Sequence, residues 1–303
     1  MTDIPTVSLC GLGNMGHAVA GRLAAVGPVL GFDLDPDRLA AAVDEHGITP
    51  ASDVRELAES SLVVLSLPTP QSSLHVVSTL APALGDGSVI VETSTVNPQD
   101  IAHQNELCTT YGVGLIDAAI LSGVAQMAQG TSTLLVGGAD EHIEKASRVL
   151  DALAPTVKRF GALGSGMAAK VINNAVAHAV MVILVEAGAL ASATGVEAQA
   201  LVDLLSGPDA GLTRPLTYRF AERIMNGDYA GGMPTDAARK DSTLALTLAQ
   251  ETGVPLFATQ AAHTVYELAM SEGLGRLDYS SIATLWERWT DRPMSAKPTA
   301  EDH

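Results

Sequence analysis

The chain has 303 residues, about twice a typical domain, so two domains are expected. Seventeen basic residues against 34 acidic ones leave a net charge of −17, a poor balance for binding nucleic acid or an anionic membrane surface. Apolar residues make up 47% and aromatics only 4%, which excludes disorder and predicts a core of Ala, Leu and Val.

Strands are expected over 6–10, 29–33, 62–67, 88–92, 114–118 and 132–137. Helices are expected between them, over 14–25, 36–45, 54–60, 72–84 and 98–111, with one more over 139–153. Strands alternating with helices of this length predict βαβ units and a doubly wound parallel sheet. The pattern changes near 157–160. Beyond it, 167–193, 196–206, 215–226, 235–251, 257–272 and 278–288 read as helices broken by Gly, Pro and Asp. The first of these is apolar almost all round, the mark of a buried central helix, covered by its own domain and by a second subunit. The domains are therefore 1–162, α/β; 163–290, all-α; and 291–303, a polar tail with two prolines, expected to be disordered.

The two cysteines, Cys10 and Cys108, make no disulfide framework, and no Cys/His spacing suggests a metal. The N-terminus has no basic region before its first strand, so it does not read as a signal peptide. The longest apolar run, 175–185, is short for a bilayer and contains His178. A soluble cytoplasmic protein is expected.

After the first strand comes Gly11-Leu12-Gly13-Asn14-Met15-Gly16, opening a helix. Gly11 suits the tight turn, Gly13 the close approach of a pyrophosphate, and Gly16 helix–strand packing, with the phosphates at the helix N-terminus. Asp33 ends the second strand, seventeen residues past Gly16, where it can accept from ribose hydroxyls; otherwise it caps the helix that starts at Pro36. Asp33 and Asp35 together disfavour a 2′-phosphate, so NAD is expected over NADP. Arg38, a turn further on, is the residue that would favour NADP.

Further motifs follow in order: Leu67-Pro68, Ser94-Thr95, DAAILSG at 117–123, GSGMAAKVINN at 164–174 and Lys240-Asp241. Lys170 is a cation in an apolar helix, and Asn174 lies one turn on, on the same face. On the residues alone this pair reads either as structural or as catalytic.

Taken together, residues 6–290 resemble the β-hydroxyacid dehydrogenase family of the 6-phosphogluconate dehydrogenase superfamily, which includes 3-hydroxyisobutyrate dehydrogenase and tartronate semialdehyde reductase. The resemblance implies an N-terminal Rossmann domain, a long interdomain helix and an all-helical C-terminal domain, in a homodimer or higher even oligomer. It implies that Gly11, Leu12, Gly13, Asn14, Met15, Gly16, Asp33, Leu67, Pro68, Thr95 and Lys240 contact the cofactor. Lys170 becomes the general acid/base and Asn174 its positioning partner, both touching a small anionic hydroxy-acid or aldehyde-acid substrate.

The substrate loop departs from the family pattern D-x-P-V-S-G-G. Ala119 stands at the Pro position and Leu121 at the Ser position, followed by Ser122 and Gly123. Ser122 and Gly123 are expected to hold the carboxylate through their N–H groups, with Leu121 making the pocket more apolar. His178, one turn past Asn174, is a further pocket candidate. Two alternatives remain. One is an imine reductase-like NADPH enzyme, a relative that often carries an apolar residue near 121 but usually lacks the Lys. The other is a dinucleotide-binding module without turnover.

Overall fold

The computed structural model describes residues 6–295, so most of the expected tail, from 296 on, lies outside the described residues. In chain order the elements are β1 (Val7–Cys10), α1 (Asn14–Ala24), β2 (Val29–Phe32), α2 (Pro36–His46), β3 (Thr49–Pro50), β4 (Leu62–Leu65), α3 (Pro70–Leu80), β5 (Val89–Glu92), α4 (Pro98–Thr110) and β6 (Gly114–Ile120). They continue with α5 (Val124–Gln129), β7 (Thr133–Gly137), α6 (Asp140–Lys145), α7 (Ser147–Leu153), β8 (Thr156–Gly161) and α8 (Ser165–Thr194). The remainder is helical: α9 (Ala198–Leu205), a π-helical stretch Pro215–Arg223, α10 (Thr235–Thr252), α11 (Phe257–Ser271) and α12 (Ala283–Thr290). Two compact units separate between Ala175 and Val176, within α8.

The first unit holds one eight-stranded sheet in the order β3-β2-β1-β4-β5-β6-β7-β8. The chain leaves β1 for β2 on one side and returns to β4 on the other. That reversal opens a crevice at the carboxyl ends of β1 and β4. Strands such as Leu-Val-Val-Leu at 62–65 are buried on both faces, and alternate residues feed two cores. Leu9, Val64, Val89 and Val91 pack on one face with α1 and α7; Val63, Leu65 and Ile90 pack on the other with α3 and α4.

One pairing departs from the expected parallel sheet: β6 and β7 run antiparallel. Only the six-residue α5 lies between them, too short a connection to carry the chain back for a parallel return. The strand β8 was not expected either. Its sequence, Thr-Val-Lys-Arg-Phe-Gly, is exposed at nearly every position, and it lies at the sheet edge on β7. Cys10 and Cys108 are free and buried, and burial pushes both thiols up to about 12.

The helix α8, which runs from the first unit into the second, is not buried by its own chain as expected. It is long and apolar enough, by length and composition, to cross a membrane, yet only 11% of its most apolar window is buried in the chain. The apolar run 175–185 understates it, because the mean hydropathy stays at 1.9 over eighteen residues despite the polar residues that interrupt it. One of them, Glu186, is buried. It accepts from the N–H of Ala258 (2.7 Å) and Thr259 (3.1 Å) and from Thr259 Oγ1 (2.8 Å), capping the first turn of α11. Asp278, fully buried, lies 3.3 Å from Arg219 Nε and 3.8 Å from Arg223 Nε.

Candidate active site

The turn after β1 is built as the glycine spacing requires. Gly11 has φ +96°, and a Cβ there would lie 2.3 Å from the Ser66 carbonyl oxygen. A Cβ on Gly16 would lie 2.0 Å from the Gly11 carbonyl oxygen, so only glycine lets α1 start this close to the strand. Gly13 differs: a Cβ would meet nothing nearer than Arg38 Nη1 at 3.7 Å, so that face is open to an approaching group. No side chain caps the first turn of α1 and no acid lies in it, which leaves its amides for an anion.

Asp33 does not cap α2; Asp35 does, accepting from Asp37 N. Asp33 instead accepts from Leu12 N (2.6 Å) and Asp35 N (2.8 Å), one bond to each oxygen. It fixes the glycine turn and keeps lone pairs for further donors. Leu12 is thereby committed to the protein, with its N–H on Asp33 and its side chain 2% exposed. Asn14 is exposed at the start of α1. Arg38 pairs with Asp35 at 3.3 Å.

Beside this turn lies a cleft of about 310 Å³ within the first unit. It gathers Met15, Leu67, Pro68, Thr95, Ser122, Lys170 and Asn174, all expected there, with Ser66, Thr93, Ser94 and Ile120. Lys170 is half-buried, and burial alone pushes its ammonium below the usual lysine range. Asn174 follows one helical turn later on α8.

The substrate loop corrects the expectation about Leu121. Side chains alternate along an extended chain, so Ile120 and Ser122 line the cleft while Leu121 packs into the core beside Ala119, Leu135 and Met167. The apolar wall is Ile120. The Ser122 hydroxyl is hydrogen-bonded to that of Ser132 at 2.7 Å. Gly123 is not among the cleft residues, and its N–H is taken by Gln126 Oε1 at 2.7 Å, at the start of α5. His178 and Lys240 belong to the second unit. His178 is exposed, and Lys240 pairs with Asp241 at 3.0 Å.

Two buried carboxylates hold the cleft walls, and sequence reasoning missed both. Glu92, at the end of β5, accepts from Ser94 N (2.8 Å), Ser73 Oγ and Gln104 Nε2 (3.2 Å). Ser94 Oγ in turn accepts from Leu67 N at 2.8 Å, so one fully buried acid ties together the loops after β4 and β5. Asp117, at 0% exposure on β6, accepts from Gly164 N (2.6 Å) and Met167 N (2.7 Å) and pins the first turn of α8 below Lys170. The signal was available: a lone acid within or closing an apolar strand must be paired when buried.

A doubly wound sheet, a glycine turn open at Gly13, an acid on the second strand and a lysine in the adjoining cleft define a dinucleotide-binding oxidoreductase. Comparison with known proteins narrows this. Residues 6–164 match the family described as the NAD binding domain of 6-phosphogluconate dehydrogenase, and 164–286 that described as NAD-binding of NADP-dependent 3-hydroxyisobutyrate dehydrogenase. The 2-(hydroxymethyl)glutarate dehydrogenase of Eubacterium barkeri is 30% identical over 94% of this chain and 95% of its own. The 3-hydroxyisobutyrate dehydrogenase of Mycobacterium tuberculosis, solved with L-serine, is 28% identical over 93% of this chain and 99% of its own, with TM-score 0.65. An imine reductase from Pseudomonas sp. is 25% identical over 94% of this chain and all of its own, with TM-score 0.84. The chain belongs to the β-hydroxyacid dehydrogenase family of the 6-phosphogluconate dehydrogenase superfamily, and is an NAD(P)-dependent dehydrogenase acting on a CH–OH group.

Proposed function

We propose that the protein interconverts a small β-hydroxy acid and the corresponding aldehyde or keto acid with NAD, using Lys170 as general acid/base. The observation that carries this is the meeting of Lys170 and Asn174 with Leu67, Pro68 and Thr95 in one cleft beside the glycine turn. NAD, when bound, takes or returns a hydride at its nicotinamide ring. In oxidation Lys170 Nζ takes the hydroxyl proton; in reduction it delivers one to the carbonyl oxygen. A lowered ammonium pKa suits both directions near neutral pH. Asn174 orients the lysine and substrate, Thr95 flanks the nicotinamide, and Lys240 adds a cation on a chain short of them. Ile120 and Ser122 face the substrate, with Ser122 the polar contact for its carboxylate.

NAD is favoured over NADP because Asp33 keeps acceptor capacity for ribose hydroxyls and Arg38 is engaged by Asp35. The protein is further proposed to be cytoplasmic, in keeping with its free cysteines, and a homodimer or higher even oligomer, in keeping with its exposed apolar α8. The overlap with an imine reductase supports the second reading, an NADPH-dependent reductase of C=N bonds. Lys170 and Asp33 weigh against it.

One experiment separates these. Native enzyme and Lys170→Ala are assayed with C3 to C6 β-hydroxy acids plus NAD, and with cyclic imines plus NADPH. Lysine-dependent oxidation of a hydroxy acid supports the proposal. Imine reduction that survives Lys170→Ala, without hydroxy-acid turnover, overturns it.

A further inference from the structure

A second chemical cluster lies on the outer face of the first unit, between α1 and α2. His17 stands on the second turn of α1, and its Nε2 is 2.9 Å from Glu45 Oε2 on the last turn of α2. His46, the last residue of α2, brings a second imidazole, with ring centroids 4.5 Å apart and planes tilted by 52°. One ligand atom from each of the three residues falls within 4.8 Å of the other two.

Two details set this cluster apart from an ordinary helix–helix ion pair. First, His46 Nε2 is buried and has no hydrogen-bond partner, an expensive state for a ring nitrogen when water is a side chain away. Second, α1 makes room for the ring. A Cβ on Gly21 would lie 2.9 Å from His46 Cε1, so glycine is what lets the imidazole settle against the helix. Glu45 is exposed and leaves the cluster open on one side.

Two imidazole nitrogens and one carboxylate oxygen are the donor set that suits zinc and its neighbours, with water completing a tetrahedron. We propose that His17, Glu45 and His46 form a binding site for a divalent transition cation of the zinc class, which staples α1 to α2. The cation takes the place of the proton in an Nε2–H···Oε2 bond between His17 and Glu45. It also gives the orphaned His46 ring a partner. The site stands apart from the hydride-transfer cleft. It ties together the helix that carries the glycine turn and the helix that follows the Asp33 turn.

The test uses the full chain without an affinity tag, stripped with EDTA and titrated with Zn²⁺ by calorimetry, with melting followed in parallel. Saturable uptake of one zinc per chain, with a rise in Tm, is expected. His17→Ala and His46→Gln should each weaken binding at least tenfold, about 1.4 kcal/mol, and lose the zinc-dependent rise. His103→Ala, remote from the cluster, should change neither. If a histidine variant fails to fold, Glu45→Gln on the exposed side gives the same answer and should weaken zinc at least as much. Absence of stoichiometric zinc in the native protein overturns the site. So does zinc binding that persists unchanged in folded His17→Ala, His46→Gln or Glu45→Gln.

Discussion

The two units of this chain finish their cores to different degrees. Both apolar clusters lie within residues 7–167, and the central strands β1, β4, β5 and β6 are buried on both faces. Among the described residues from 176 on, only eight apolar side chains are buried, and five of those are alanines. The large ones stay in the open: Val185 is 60% exposed, Leu204 66% and Phe257 77%. Exposed apolar surface of this kind is a mark of an interaction surface. The contrast indicates where each unit's stability comes from. The first folds around its own sheet, and the second leaves apolar surface of the kind the proposed oligomer would cover.

The comparison predicts that chemistry and assembly can be broken separately. Lys170→Ala should lower kcat by about 10²–10⁴-fold while leaving NAD affinity, oligomeric state and Tm close to native. A folded Lys170→Ala enzyme with full activity would end the mechanism. Val185→Asp should do the reverse, converting the proposed oligomer to monomer in light scattering and lowering Tm, with NAD still bound by the first unit. The matched change Phe160→Asp, on the half-exposed edge strand β8, should leave assembly intact. Equal behaviour of the two variants would erase the distinction between the units.

A third expectation concerns the cofactor. Turnover with NAD should exceed that with NADP at least tenfold in kcat/KM, about 1.4 kcal/mol, and Asp33→Ala should narrow the gap. Equal use of NADP by the native enzyme would point to Arg38.

The fourth tests the buried acid below the cleft. Burial raises the Glu92 carboxyl above its usual range, against hydrogen bonds from Ser73, Ser94 and Gln104 that lower it. The folded state therefore holds the proton more tightly than the unfolded chain. Glu92 supports stability most at acidic pH and loses that contribution as pH rises through its raised pKa. Relative to native, the Tm of Glu92→Gln should climb from acidic toward neutral pH. A difference in Tm that stays flat with pH would contradict the assignment.

The smallest effect belongs to Leu121→Ser. The side chain points into the core, so the change should slightly lower stability and leave substrate preference unmoved. A shift in preference toward smaller, more polar hydroxy acids would mean that the loop turns its other face to the cleft.

Most of the first unit was legible in the sequence because its signals are local: glycine spacing, apolar runs and strand ends. The cleft residues Leu67, Thr95, Ser122, Lys170 and Asn174 were found by motif, and the structure brings them together. What local patterns could not show was direction. Leu121 and Ile120 are equally apolar in the sequence, and only the strand's alternation assigns one to the cleft. Nor could they show the antiparallel β7, which depends on the length of a connection, or β8, whose residues stay exposed. The cover of α8 was only half legible, for a different reason. An apolar periodicity states that a face will be covered, but not by which chain.

The Asp117 clamp has a consequence for how such a chain can vary. One carboxylate joins positions 47 residues apart, Asp117 and Gly164, and everything between them leaves β6 and returns to the same point. That excursion contains α5, β7, α6, α7 and β8, with exposed turn positions such as Ala139 before α6. Its length is decoupled from the position of Lys170, because both ends are tied to the same two oxygens. Insertions at those turns are therefore the changes that lineages can accumulate, and engineers can graft, without moving the helix that carries Lys170.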